Sequence, residues 1–211
     1  MAGLSPVCIL AGGVGSRLGD AVASTPKPLL PVAGEPFVFH QLRQLAACGV
    51  ELVVLSIGYL GEQIRAAVGD GSAFGIHVEY SEDGPSPIGT AGAVRKAQPL
   101  LGERFLVLYG DTYLRIDFGE VDRAALDSGL PALMTVLRNH GRWDTSNVDY
   151  RQGRVMRYDK RDPRPDMEYI DYGLSVLTAS ALADTDAIAT DLSTLFTDLS
   201  ERGLLAGYEA V

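Results

Sequence analysis

Cysteine and histidine are scarce in this sequence, with two cysteines and three histidines in 211 residues. Cys8 and Cys48 each lie in an apolar segment, so we expect buried free thiols rather than a disulfide. His40, His77 and His140 are scattered and have no spacing that suggests a zinc site. The composition therefore argues against a disulfide scaffold, a zinc module and histidine-based catalysis.

Basic residues are also in the minority, since 18 Lys and Arg face 27 Asp and Glu and the net charge is −9. A broad basic surface for nucleic acid is therefore not expected. No apolar run reaches the roughly 18 residues that span a bilayer, and the N-terminus lacks a basic signal-peptide region. We expect a cytoplasmic protein with no membrane or nucleic-acid partner, and whether it forms a homo-oligomer stays open.

Apolar runs alternate with helical patterns in the first part of the chain. This order predicts an α/β fold with a Rossmann-like, mainly parallel sheet and helices on both faces, whose ligands bind beyond the carboxyl ends of the strands. The predicted strands are 6–10, 51–57, 76–80 and 104–109, and the predicted helices are 37–48, 60–68 and 90–98, the last ended by Pro99.

The pattern changes after Gly129. The remainder predicts added strands that form a lid or a substrate-binding lobe, with a hairpin turn at Gln152-Gly153. The predicted strands are 131–138, 148–150, 155–158, 169–177 and 204–208, with a helix at 192–201.

A glycine-rich segment, Leu10-Ala-Gly-Gly-Val-Gly-Ser-Arg-Leu18, follows the first strand. Backbone amides of such a loop can wrap an anion, and Arg17 adds a charge with a fork geometry suited to phosphate. The segment matches neither the dinucleotide fingerprint nor the P-loop. The alternative is a tight strand-to-helix turn with no ligand.

Lys27 lies in Thr25-Pro-Lys-Pro-Leu-Leu-Pro-Val32, where prolines on both sides keep it out of a helix. A lysine presented rigidly soon after a phosphate loop is a credible second phosphate contact, although a surface turn would be enough to explain it alone.

The two segments together resemble the signature of the sugar-phosphate nucleotidyltransferases, and within that family the chain is most similar to bacterial heptose 1-phosphate guanylyltransferase-like proteins. The resemblance implies one domain over 1–211, with a nucleotide-binding half at 1–129 and a sugar-phosphate-binding half at 130–211. It implies that Arg17 and the loop residues hold the triphosphate, and that Lys27 lies near the reacting phosphates. The loop residues are Leu10, Ala11, Gly12, Gly13, Gly15 and Ser16.

Asp111 follows the strand 104–109 directly, in Gly110-Asp-Thr112. A carboxylate at the tip of a central strand points into the predicted crevice, and Mg²⁺ is held by one or two carboxylates plus phosphate oxygens. Asp111 is therefore our predicted Mg²⁺ ligand, with capping of the following turn as the alternative. The family resemblance supports the metal role, since Gly-Asp-Thr is its metal motif.

The segment from Glu82 to Ala93 follows the third strand, and in the family it faces the nucleobase. Asp83, Gly89 and Thr90 are the candidates here, with Thr90 also a good helix N-cap. Pyrimidine-specific relatives often carry Gln before this loop, whereas an Asp could accept from guanine, so GTP is favoured. An ordinary capped loop is the alternative.

Tyr158-Asp-Lys160 and Tyr169-Ile-Asp-Tyr-Gly173 are similar to the family's sugar-phosphate elements. The resemblance implies that Lys160 meets the sugar phosphate and that Asp171 and Gly173 lie beside the sugar, although a strand carboxylate satisfied by a neighbour is an alternative. Relatives usually carry a second metal carboxylate near the C-terminus, just where this sequence ends. Truncation, a missing tail or substitution by Asp171 would each account for this.

The resulting hypothesis is a Mg²⁺-dependent enzyme that joins a sugar 1-phosphate to a nucleoside triphosphate and releases pyrophosphate. Its chemistry needs two polyanions held together and no general base. Two alternatives remain: a regulatory or nucleotide-binding homologue with weak turnover, and an NAD-dependent oxidoreductase, which the loop mismatch disfavours.

Overall fold

The computed structural model describes residues 3–13, 24–84, 86, 88–183 and 191–210. The first half alternates strands and helices, as the apolar pattern predicts. In chain order its elements are β1 (Val7–Leu10), β2 (Pro31–Val32), β3 (Glu35–Pro36), α1 (Phe37–Ala47), β4 (Leu52–Ile57), α2 (Gly61–Val68), β5 (His77–Glu82), α3 (Gly89–Leu101), β6 (Arg104–Tyr109) and α4 (Phe118–Ser128).

The second half contributes five more strands and two helices. These are β7 (Ala132–Arg138), β8 (Val148–Arg151), β9 (Arg154–Tyr158), β10 (Tyr169–Thr178), α5 (Ala179–Ala183), α6 (Leu192–Glu201) and β11 (Leu205–Ala210). The hairpin between β8 and β9 turns at Gln152 and Gly153, which both have positive φ as a type I′ turn requires. That predicted hairpin is confirmed.

One sheet of nine strands, in the order β5-β4-β1-β6-β10-β7-β11-β9-β8, runs through the described part of the chain. The first four are parallel, and β10 lies antiparallel between β6 and β7. The added strands predicted for the second half are present, and β7, β10 and β11 extend the central sheet instead of forming a lid beside it. Strand pairing is a long-range choice that local periodicity does not encode.

Helices cover both faces of the sheet, as predicted. Successive side chains of β1 point to opposite faces, so Ile9 joins one apolar cluster and Cys8 joins the other. The first cluster is covered by α1, α2 and α4, and the second by α3, α5 and α6. Among the described residues, no helix has the length and apolar composition needed to cross a bilayer.

Two local predictions need correction, and one helix was not predicted. Helix α3 does not end at Pro99 but continues to Leu101, because a proline in the last turn removes only its own N–H and Gly102 closes the helix onto Gln98. Helix α4 was not predicted. Both thiols are free, but Cys48 is exposed rather than buried because it caps the end of α1.

Strand β10 carries an irregularity opposite β7. The register pairs Asp171 with Val136 and Ser175 with Met134, so three residues of β10 face the single residue Thr135. The buried Thr135 hydroxyl donates to the Leu174 carbonyl (2.7 Å) and accepts from the Leu174 N–H (3.2 Å). Thr135 thus replaces the ladder bonds that the bulge removes, and the bulge redirects the start of β10.

Candidate functional site

The carboxyl ends of the parallel strands and the amino end of β10 meet at one edge of the sheet. Loops that follow β1, β4, β5 and β6 leave from this edge, which is where ligands bind in open α/β sheets. The residues that the sequence singles out and the structure describes lie along it or on segments next to it.

Lys27 and Asp111, 84 residues apart in the chain, form an ion pair here with 2.5 Å between Nζ and Oδ2. Their side chains are 37% and 48% exposed. A pair so exposed contributes at most about 1 kcal/mol to stability, so the fold does not depend on it. The pair matters for chemistry, because it places an ammonium group and a carboxylate next to each other at the edge where ligands bind.

A tight turn holds Asp111 against the glycine segment. The turn is closed by the Thr112 N–H on the Tyr109 carbonyl (3.1 Å), and the Gly110 N–H donates to the Leu10 carbonyl (3.0 Å). A Cβ at position 110 would lie 2.5 Å from the Leu10 carbonyl oxygen, which no side chain tolerates. Glycine at 110 therefore lets the carboxylate-bearing turn approach the end of β1.

Asp83 follows β5 directly and lies against the glycine-rich segment. Its Oδ1 accepts from the Ser56 hydroxyl (2.8 Å), and a Cβ at Gly12 would collide with its Oδ2. Burial raises the pKa of the Asp83 carboxyl, while the Ser56 hydrogen bond and the charge of Lys96 oppose that rise. Asp83 thus connects β4, β5 and the glycine-rich segment, and this structural role does not depend on a ligand.

The two segments that are predicted to bind the sugar phosphate, around Lys160 and around Asp171, also meet at this edge. Asp171 accepts from the Gly173 N–H (2.9 Å), and a Cβ at Gly173 would lie 3.1 Å from the Thr112 methyl group. Burial raises the pKa of Asp171 to about 6, against the opposing effects of the Gly173 N–H and the exposed Lys160 ammonium. The structure therefore brings Asp171 and Gly173 to the Asp111 turn and leaves Lys160 within electrostatic range.

Asn147 links these segments, a role that the sequence did not reveal. It is buried, its carbonyl accepts from the Asp159 N–H (3.0 Å), and its N–H donates to the Tyr169 carbonyl (2.9 Å). Its side-chain oxygen accepts from the Asp171 N–H (3.4 Å). A single polar residue in a turn gives no sequence signal of such a role.

Thr90 does not cap its own helix, so the predicted N-cap was wrong. The position before α3 is Ile88, with no side-chain cap, and Gly89 begins the helix with a φ of 71°. The Thr90 hydroxyl instead accepts from the Leu192 N–H (2.8 Å) at the start of α6 and contacts Asp191 (3.4 Å). The Thr90 hydroxyl therefore bonds a distant segment and not the amino end of its own helix. The nucleotide roles of Gly89 and Thr90 stay predictions.

Part of the predicted phosphate loop, Gly15, Ser16 and Arg17, lies outside the described residues. Of the rest, the Leu10 carbonyl accepts from Gly110, and the N–H of the buried Ala11 donates to the Ser56 carbonyl (2.8 Å). Gly13 is exposed. Phosphate binding by these residues stays a prediction.

Gln41 is a second residue that the sequence analysis missed. It lies on the buried side of α1 together with Val38, Leu42 and Leu45, and its side chain reaches the Asp111 turn. A polar residue within an apolar helical stripe was the available signal, because a buried amide needs partners.

Comparison with known proteins matches residues 7–145 to the family model described as nucleotidyl transferase. N-acetylmuramate alpha-1-phosphate uridylyltransferase of Neisseria meningitidis is 43% identical over 58% of this chain and 53% of its own length. D-glycero-alpha-D-manno-heptose 1-phosphate guanylyltransferase of Campylobacter jejuni is 30% identical over 67% of this chain and 62% of its own length. The chain thus spans little more than half of the length of these relatives.

A solved structure from Bacillus anthracis, assigned as a glucose-1-phosphate thymidylyltransferase, superposes with a TM-score of 0.85 at 20% identity. The superposition covers 98% of this chain and 87% of that chain, and it shows the shared Rossmann-like fold. The family model covers well over half of the chain, so the chain belongs to the nucleotidyl transferase family.

Proposed function

We propose that this protein is a Mg²⁺-dependent sugar-1-phosphate nucleotidyltransferase that joins a sugar 1-phosphate to a nucleoside triphosphate and releases pyrophosphate. The observation that carries the proposal is the meeting of Lys27 and Asp111 at the carboxyl edge of the sheet. The family match and the relatives that transfer nucleotides to sugar 1-phosphates support the same reaction class.

The donor set fits a divalent metal that needs only one or two carboxylates from the protein. Among the described residues no three His, Cys, Asp or Glu side chains converge into a complete protein cage. Mg²⁺ does not need one, since it binds one or two carboxylates together with phosphate oxygens and water. Asp111, half exposed at the edge, would hold the ion, which supplies charge neutralisation of the phosphates when bound.

The chain's own residues would bring two polyanions together. Lys27 pairs with Asp111, and it would be available to the phosphates if Asp111 held a cation instead. Lys160 approaches from the sugar side and offsets the repulsion between the reactants. Arg17 is proposed to stabilise the leaving pyrophosphate, although it lies outside the described residues.

The reaction is an in-line displacement. An oxygen of the sugar phosphate forms a bond to the α-phosphorus of the triphosphate, and the bond from that phosphorus to the bridging oxygen of the pyrophosphate breaks. The nucleophile is already an anion, so no general base is required and catalysis comes from positioning and electrostatics.

GTP and a heptose 1-phosphate are the proposed substrates. Asp83 beside Gly12 carries a carboxylate that can accept N–H groups of guanine, and one relative is a heptose 1-phosphate guanylyltransferase. Another relative is a uridylyltransferase, so the family does not determine the base.

Pyrophosphate release tests the proposal, with GTP, UTP, dTTP and CTP each offered against a panel of sugar 1-phosphates, with and without Mg²⁺. We expect release that needs Mg²⁺ and is fastest with GTP. Asp111→Asn should lose at least roughly a hundredfold in kcat, because it keeps the shape and removes the charge.

Asp198→Asn is the matched control. It removes a carboxylate from another exposed ion pair, Asp198–Arg202 on α6, with side-chain exposures of 45% and 37%. That pair lies near the end of α6, away from the edge that carries Asp111, so the control should keep the parental rate. Tight GTP binding with no release from any pair would instead favour a nucleotide-binding homologue without turnover.

A further inference from the structure

Helix α1 is hydrogen-bonded to the turn that carries Asp111. The Gln41 side chain is fully buried, and its Nε2 donates to the Tyr109 carbonyl (3.0 Å) and to the Thr112 carbonyl (2.8 Å). These two carbonyls bracket Gly110 and Asp111, so one side chain joins both ends of the turn.

The chemistry of the amide explains why glutamine suits this place. Its NH₂ group has two N–H bonds that can serve two carbonyls, whereas methionine of similar length offers none. Its Oε1 is buried and has no hydrogen-bond partner among the described residues. A buried acceptor left unpaired costs stability, so an apolar residue would satisfy the core better if packing were the purpose of this position.

We infer that Gln41 is a positioning residue for Asp111. Its amide fixes the turn from Tyr109 to Thr112, so the Asp111 carboxylate is already placed to bind the divalent cation. Metal affinity therefore depends on a residue that does not touch the metal. The inference rests on the proposed function, in which Asp111 is the ligand.

Gln44 provides a matched control on the same helix. One turn further along α1, its Nε2 donates to the Leu114 carbonyl, three residues beyond Asp111. Loss of Gln44 removes a side-chain amide between the same helix and the same loop but leaves both ends of the Asp111 turn bonded. If substitution only loosened α1 from the loop, loss of either glutamine would weaken metal binding. If the amide of Gln41 positions Asp111, only the loss of Gln41 would weaken it.

The test compares Gln41→Met with Gln44→Met by titration with Mn²⁺ alone, with free Mn²⁺ counted by electron paramagnetic resonance. We expect Gln41→Met to weaken Mn²⁺ binding at least about fivefold and Gln44→Met to stay within about twofold of the parent. Gln41→Asn keeps an amide that is one methylene too short to reach both carbonyls. It should weaken binding in the same direction and serves if the Met variant does not fold.

Asp111→Asn separates the inference from the proposed function. If this variant binds Mn²⁺ as the parent does, the metal assignment fails and the inference falls with it. If Asp111→Asn weakens binding while Gln41→Met and Gln41→Asn match the parent, the proposed function stands and the inference is overturned. Equal weakening by Gln41→Met and Gln44→Met would overturn it as well, because it would show a general loss of packing.

Discussion

Asp171 is a carboxylic acid on a bulged strand, where burial raises its pKa from 3.8 to about 6. The Gly173 N–H and the Lys160 charge act in the opposite direction but do not cancel the burial. Between about pH 4 and pH 6 the folded protein therefore binds more protons at this site than the unfolded chain does. By linkage, this site's contribution to stability is fully present below about pH 4 and is lost as the pH rises through 6.

Asp171→Asn should therefore stabilise the protein at neutral pH. The asparagine oxygen can still accept from Gly173, and the buried charge is gone. Because Asp171 is partly exposed, solvent screening reduces the effect of its charge. We therefore expect the free energy of unfolding of Asp171→Asn to exceed that of the parent by about 1–2 kcal/mol at pH 8 and to match it near pH 4. Urea titrations of both proteins across this pH range measure it.

The exposed variant Asp198→Asn should differ from its parent by less than about 1 kcal/mol at both pH values, which controls for loss of a surface charge. A stabilisation by Asp171→Asn that does not change with pH would show that ionisation of Asp171 is not coupled to folding.

Single residues also show what a sequence conveys about a site. Lys27 and Asp111 were predicted to lie near the same phosphates because each lies in a distinctive segment. The structure places their side chains in contact, and their roles in catalysis stay predictions. The contacts of Thr90 with α6 and of Asn147 with two segments could not be predicted, since both join residues far apart in the chain. Residue type alone does not state which distant partner a hydroxyl or an amide will find.

Helix α4 is the element that sequence reasoning missed, although its signals are local. Asp117 caps it by accepting from the Glu120 N–H (3.0 Å), and Gly129 ends it with a φ of 64°. Asp117 and Glu120 have the spacing of a capping box. The Glu120 carboxylate accepts a hydrogen bond from the Tyr208 hydroxyl (2.9 Å), which also connects the helix to β11.

Asp117→Ala should remove the side-chain cap at the N-terminus of α4 and lower the free energy of unfolding by about 1 kcal/mol, or the melting temperature by about 2–4 °C. Calorimetry or urea unfolding measures the loss. Asp127→Ala, an exposed acid in the last turn of the same helix, should be neutral or slightly stabilising because it removes a negative charge from the negative end of the helix dipole. Equal losses in both variants would mean that the cap contributes nothing specific.

Most of the other elements could be predicted because their signals are also local. Strand β6 and helix α6 have the predicted bounds, and the type I′ hairpin follows from Gln152-Gly153. Strand pairing is different, since β10 lies between β6 and β7 although 59 residues separate the end of β6 from the start of β10. Nothing in the apolar run of β10 specifies that position, which explains why the strands of the second half were predicted as a lid or substrate-binding lobe and not as part of the central sheet.

At the scale of the molecule, the two halves that are proposed to bind the nucleotide and the sugar phosphate share one sheet. Strand β10 pairs with β6 from Leu174 opposite Leu108 to Thr178 opposite Arg104, so the proposed sugar side is hydrogen-bonded to the proposed nucleotide side. Both apolar clusters contain residues from each half. Domain boundaries fall where few contacts cross, and the junction near residue 129 is not such a place.

We therefore expect the halves to unfold together, and a buried thiol in each half can test this. Cys8 lies in the central strand β1, where burial, with a smaller contribution from Asp83, raises the pKa of its thiol to about 12, so it should resist alkylation until the sheet opens. Val136 in β7 is fully buried, so Val136→Cys together with Cys8→Ser and Cys48→Ser places one buried thiol in the second half. Pulse alkylation of Cys8 in a Cys48→Ser variant, and of residue 136 in the second variant, should each give the urea midpoint that circular dichroism gives for the same protein. If residue 136 were alkylated at lower urea than that midpoint while Cys8 was not, residues 130–211 would unfold separately, and the proposed functional division would be a structural one too.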